Sequence, residues 1–188
     1  LKNKNNMACD LTKGRKEPCK DVVGGIRKVY FTDFGDFGTV ISADEQITDM
    51  SGSFTAFEYD LKGNSSFETT VNSSRENGTT FFEQTLNITL KKLSKEDNKE
   101  LKLLAYGRPH IAVEDYNGNV MVMGLENGAD VSGGTIVTGA AMGDLSGYTL
   151  TFTAQETSPA KFLDSPTAAD PYAGMGSATV TVTEGTNS

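Results

Sequence analysis

The sequence predicts a mainly β fold with a long hairpin and one short α-helix. Three observations carry that expectation. Apolar and polar residues alternate with period two in several runs, as in "TTFFEQTLNITL" and "SGYTLTFTAQE", which is the mark of half-buried strands. The 20 glycines fall between those runs, where turns belong, and there is no Trp. Helix signals gather in a single stretch, "LSKEDNKELKLLAYGR". A chain of 188 residues is long enough for one domain with a sizeable core. The expected division is an N-terminal arm over 1–25, a β body over 26–157 with a helix at about 95–106, and an extended C-terminal arm over 158–188 holding a short strand.

"IRKVYFTDFG" from Ile26 and "TVISADEQIT" from Thr39 read as two strands joined by a turn in "DFGDFG". "SFTAFEYDL" places Phe57, Tyr59 and Leu61 on one side of a third. "SSFETTVNSS", the turn "RENG" and "TTFFEQTLNITLKKL" form a hairpin in which Phe82, Leu86, Ile88 and Leu90 alternate with Glu83, Thr85, Asn87 and Thr89. Extended throughout, Thr79 to Leu93 would span about 50 Å, far beyond the usual strand. Such a ribbon suits either a hairpin that reaches neighbouring molecules or a bent strand crossing two sheets. In the helix, Ser94 caps the N-terminus, Glu96 and Asp97 sit in the first turn, Leu101, Leu104 and Ala105 share a face, and Gly107 ends it. "HIAVEDYNGNVMVMG" reads as a hairpin with a type I′ turn at Asn117-Gly118, and "ENGAD" repeats the turn chemistry. "GGTIVTGAAMG", "SGYTLTFTAQE" and "ATVTVTE" supply further strands. "TSPAKFLDSPTAADPYAGMG", rich in Pro, Gly and Ala, reads as arm rather than core.

The formal charge of −8 argues against stable nucleic-acid binding, which needs a concentrated basic footprint. Its distribution is uneven. Residues 1–28 hold eight Lys or Arg against Asp10, Glu17 and Asp21, whereas residues 103–188 hold Arg108 and Lys161 against nine acids. Two solvated faces account for this, and so does head-to-tail association of opposite ends. Cys9 and Cys19 read as free thiols, although a disulfide between them would close a short loop in an oxidising setting. No apolar run of about 18 residues is present, so no membrane-spanning helix is expected. A polar "LKNKNN" shows no signal peptide, and the natural start is either upstream of Leu1 or at Met7.

Catalytic signals are absent. His110, the single histidine, stands at a strand start without a Cys or Ser in a recognisable motif. The acidic pairs Asp44-Glu45, Glu96-Asp97 and Glu114-Asp115 read as solvated charge rather than a Ca²⁺ site. "GGTIVTGAAMGD" lacks the P-loop and dinucleotide patterns, and its glycines are expected at turns and close backbone approaches. Asn64, Asn72, Asn77 and Asn87 match the N-glycosylation acceptor, a pattern common by chance. No enzyme activity, cofactor or metal is expected.

The long run from "LNITLKKL" through the helix, the "DYNGN" hairpin, the "ENGAD" turn and "GDLSGYTLTFTAQE" to "PAKFL" resembles the major tail tube proteins of tailed bacteriophages, especially those of Bacteroidetes-type hosts. The opening "MACDLTKGRKEPCKDVVGGI" is similar to the start of such proteins. The resemblance implies a β-sandwich or barrel-like tail tube fold with one flanking α-helix, assembled as stacked hexameric rings around a lumen through which DNA is ejected. It implies assembly of the virion in the host cytoplasm. Partners would be further copies of the chain, the tape measure, terminator and baseplate proteins, and a sheath if the tail is contractile; DNA would pass without specific binding. The hairpin would supply lumen-lining and neighbour-pairing strands, with Phe67, Thr69, Val71, Phe81, Glu83, Thr85, Asn87 and Thr89 at the assembly interface. An acidic or neutral lumen lets DNA slide where a basic one would hold it. The rival readings are a capsid decoration protein, a contractile injection system tube and a secreted β-sandwich binding module.

Overall fold

The computed structural model describes residues 11 and 13–185. It is mainly β, with two sheets and one short helix, a β-sandwich in which the larger sheet curls into a half-barrel. In chain order the elements are β1 Ile26–Thr32, β2 Val40–Ala43, β3 Gln46–Met50, β4 Gly52–Asp60, β5 Ser66–Ser74, β6 Thr79–Lys91, α1 Lys95–Tyr106, β7 His110–Asp115, β8 Val120–Met123, β9 Asp130–Val137, β10 Gly147–Glu156, β11 Lys161–Leu163 and β12 Ala178–Thr183. The large sheet runs β12-β4-β1-β7-β8-β11-β3-β2 and the small one β5-β6-β10-β9. Residues 13–25 are exposed and outside regular structure; Cys19 is exposed, while Cys9 lies outside the described residues.

Two cores follow from the two faces of the large sheet. Between the sheets lie Val29, Phe31, Leu61, Leu86, Ile88, Ile111, Val113 and Phe152. Inside the curl lie Tyr30, Ile47, Met50, Phe54, Ala112, Val122, Leu163, Tyr172 and Met175. This is why β1 and β7 read as nearly continuous apolar runs: Val29 and Phe31 face one core, and Tyr30 between them faces the other. β4 obeys the same rule. Tyr59 and Leu61 pack on the inter-sheet core as expected, but Phe54 and Ala56 on its other face are buried as well, and Phe57 is left 41% exposed.

The helix forms where expected. Ser94 Oγ accepts from the Asp97 N–H at 3.0 Å, and the Gly107 N–H bonds back to Leu103 O and Leu104 O. Its start is pinned by Tyr148, whose hydroxyl donates to Ser94 O or Asn98 Oδ1 and accepts from the Ser94 N–H. Leu101 is buried and Leu104 packs on the inter-sheet core, so the helix closes an end of the sandwich.

Four expectations are corrected. "TVISADEQIT" is not one strand: Asp44 and Glu45 both take positive φ, 52° and 61°, and turn it into the β2–β3 hairpin. The Asn117-Gly118 turn is not type I′, because only Gly118 has positive φ; the Asp115 carboxylate gathers the Asn117 and Asn119 N–H groups instead. Glu114 is not solvated but 4% exposed, accepting from the Tyr30 hydroxyl at 3.2 Å. The segment after residue 157 is not an arm. Its β11 bridges β8 and β3, Leu163, Tyr172 and Met175 fill the curl, and β12 pairs parallel to β4 at the sheet edge. Pro, Gly and Ala concealed this because four well-spaced apolar anchors, Ala160 included, suffice to bury a loop whose polar groups satisfy themselves in turns.

The close approach expected of the glycines in "GGTIVTGAAMGD" occurs at Gly134, and Gly147, beyond that stretch, makes another. A Cβ at Gly147 would stand 2.0 Å from Leu90 O, and one at Gly134 2.5 Å from Thr149 O. At Gly133 a Cβ would meet open space. Gly147→Ala is therefore expected to cost about 1–3 kcal/mol through a forced backbone shift, with Gly133→Ala close to neutral, and urea melts of the two variants compare them directly.

Candidate functional site: an open sheet with a polar face

The small sheet is built by register. β6 pairs with β5 from Ser66↔Asn87 to Ser74↔Thr79 and with β10 from Gly147↔Lys91 to Glu156↔Phe82. Directly paired residues share a face, so Gln84, Leu86, Ile88 and Leu90 point to the core with Phe67, Tyr148, Leu150, Phe152 and Ala154 opposite or beside them. The other face carries Glu83, Thr85, Asn87 and Thr89 beside Thr149, Thr151, Thr153 and Gln155.

That outer face is a lattice of short polar side chains. Thr151 Oγ1 donates to Asn87 Oδ1 at 2.8 Å, Thr153 Oγ1 to Ser132 Oγ at 2.7 Å, and Gln155 Nε2 to Glu83 Oε2 at 3.3 Å, while the Thr135 and Thr149 hydroxyls pair at 2.5 Å. Each bond crosses from one strand to the next, and β-branched Thr suits the pleat. Lys91, at the end of β6, is the only basic residue in the four strands.

The eight residues expected at the assembly interface divide between the two faces. Phe81, Glu83, Thr85, Asn87 and Thr89 share the outer one; Phe67, Thr69 and Val71 share the inner one. Phe67 is half-buried against its own core. Val71 is 60% exposed although it lies on the core-side face, and its partner Phe82 is only half-buried. The distal hairpin thus projects past the sandwich with its inner face partly uncovered.

Both outer strands of this sheet, the nine-residue β5 and the eight-residue β9, end the hydrogen-bonded order. The strand expected in "GGTIVTGAAMG" starts earlier, as β9, and its place at the edge, where Ile136 is 62% exposed, was not foreseen from sequence. A long, flat strand edge is a template for pairing with another chain. The signal available was "DVSGGTIV": two glycines and no Lys or Pro to discourage edge pairing.

The buried ionisable groups serve the fold. Lys28 Nζ and Glu58 Oε1 pair at 3.0 Å with both side chains largely buried, and burial, followed by the charges of Glu114 and Glu58, pushes the Tyr30 hydroxyl well above its ordinary range. Glu156 closes the "ENGAD" turn by accepting from the Glu126 and Asn127 N–H groups; burial raises its carboxyl and those bonds oppose the rise. His110 is buried and stacked on Phe37 at 4.3 Å between ring centres, with Phe34 at 5.1 Å. Its Nδ1 donates to Gly124 O at 2.6 Å and its Nε2 accepts from the Gly35 N–H at 3.3 Å, which requires the neutral ring.

Burial lowers the pKa of His110, ahead of the opposing Gly124 bond and Asp36 charge. With the folded value below the unfolded one, its contribution is complete above the unfolded value of about 6.5 and is lost as pH falls below it. Denaturant unfolding from pH 7.5 to 5 is expected to show stability declining below about 6.5, and His110→Gln is expected to remove that part of the slope.

Among the described residues no group of three or more His, Cys, Asp or Glu is placed to hold a metal, and no helix is long and apolar enough to cross a membrane. Comparison with family models, curated proteins and solved structures finds no match.

Proposed function

We propose that the chain is a self-assembling structural subunit, the tail tube protein of a tailed bacteriophage. Copies join edge to edge through β5 and β9, stack as rings, and turn the polar outer face of the small sheet toward a DNA-conducting lumen. The observation that carries this reading is the combination of two open strand edges with a hydroxyl-rich, cation-poor face between them. Edge pairing satisfies the backbone groups that an isolated subunit leaves to water. A face of Thr, Asn, Ser and Gln with Glu83 and a single Lys at its end offers DNA no ring of counter-charge to bind. On this reading the protein works in the virion, without a catalytic role, against the tape measure, terminator and baseplate proteins and, in a contractile tail, a sheath.

Negative-stain electron microscopy of the purified chain at rising concentration tests this. Stacked rings or tubes with a central channel are expected. Particles that stay single across the range, also in the presence of a preformed tail tip as initiator, would overturn the proposal in favour of a β-sandwich binding module.

A further inference from the structure

A groove runs between α1 and β4. It comprises two adjoining cavities of about 310 and 480 Å³ that share Phe57, Tyr59 and Glu100. Its floor is apolar and open: Phe57 is 41% and Leu103 56% exposed. Along the wider half stand Asp60, Glu96, Asp97, Glu100 and Glu184. Their field reaches the floor, since the Tyr59 hydroxyl is pushed up to about 12 by burial and then by Glu100 and Asp97.

Among the described residues one segment carries complementary chemistry. Residues 13–25 are wholly exposed, with Lys13, Arg15, Lys16 and Lys20 against Glu17 and Asp21, and with Val22 and Val23 at 72% and 60% exposure. Apolar side chains for an aromatic floor and cations for an acidic rim are what an interface of this composition requires. The segment does not lead into its own groove. Asn117 holds Val23 by two hydrogen bonds, 3.1 and 2.8 Å, and Gly25 lies against Tyr116, so the chain leaves on the β7 side of β1, whereas β4 lies on the other.

We infer that the α1–β4 groove receives the basic N-terminal segment of a second copy. The contact is heterologous, one copy's segment in the next copy's groove, and so propagates from subunit to subunit. It rests on the self-association proposed above but not on strand-edge pairing, and it adds a separate, salt-sensitive link between copies.

Sedimentation velocity at low and high salt tests it on the full chain, and on a chain with a shortened β5–β6 hairpin in which edge pairing is removed. Glu96→Lys with Glu100→Lys and Glu184→Lys reverses the rim, which keeps two acids against three cations; Lys13→Glu with Lys16→Glu reverses the segment. All five positions are exposed, so folding is expected to survive, with circular dichroism as the control. Either reversal is expected to weaken low-salt association about tenfold or more, and the two together to restore it. Association unchanged by both single reversals, no rescue by the combination, or no association in the shortened-hairpin chain would overturn the inference. Failure of the full chain to form tubes, with this contact persisting, would instead overturn edge pairing alone.

Discussion

Replacing residues 71–82 with Asn-Gly, so that Thr70 and Glu83 are joined by a two-residue turn, is expected to give a folded subunit that no longer forms rings or tubes. Thr70 and Glu83 are already partners in the ladder, so the shortened hairpin keeps its register. What is removed contributes little to either core. Val71 and Phe81 are exposed and Phe82 only half-buried, whereas Phe67, Gln84 and Leu86 remain. The stability change is expected within about 1–2 kcal/mol, measured by urea unfolding, while ring and tube formation falls below detection in micrographs. The size of the second effect comes from geometry: the distal half of β5 is the part of the edge that extends furthest, and shortening it leaves a neighbour too few ladder positions to pair. Tubes of normal length from this variant would remove the hairpin from the assembly. A variant that fails to fold would place it in the core.

Ending the chain after Thr157 is expected to abolish folding, and Tyr172→Ala to cost about 3–5 kcal/mol. The first follows from topology. β11 lies between β8 and β3, so without it the large sheet divides, leaving the β2–β3 hairpin attached to nothing by strand pairing. The second follows from packing. Tyr172 is 1% exposed, edge-on to Phe54 at 5.1 Å and to Phe37 at 6.0 Å, inside the curl. Set against a typical total of about 5–15 kcal/mol, the loss is large enough to appear as a clear shift of the urea midpoint. A truncated chain with an unchanged melt would restore the reading of this region as a dispensable arm.

These expectations show where local pattern suffices. The helix at Lys95–Tyr106 was legible to the residue because capping is a local matter: a Ser before the first turn, acids within it and a Gly after it. The long hairpin was legible because alternation over many positions has one phase that buries Leu86 and Ile88. The turn at Asp44-Glu45 was not, since neither residue favours positive φ strongly enough to announce a break in an otherwise strand-like run. For the candidate site, alternation named Thr85, Asn87 and Thr89 on one face and Glu83 with them, whereas the resemblance joined Phe67, Thr69 and Val71 to that set and the register puts those three on the other face. Alternation did not say which set faces the core, nor that β9 would form the opposite edge.

By itself the sequence determined the mainly β class, the capped helix, the hairpin and its two-sided alternation, and an acidic chain with a basic start. Each depends on neighbours a few residues apart, so spacing alone encodes it. Only the tertiary structure decided that the region after residue 157 closes the half-barrel, that β5 and β9 are left as edges, that Glu114 and His110 are buried with partners, and that α1 and β4 leave an acid-rimmed groove. Those outcomes depend on which distant strands meet. Ile47 and Leu163, or Phe54 and Val180, are brought together by the burial of a shared core rather than by anything adjacent to either in the chain.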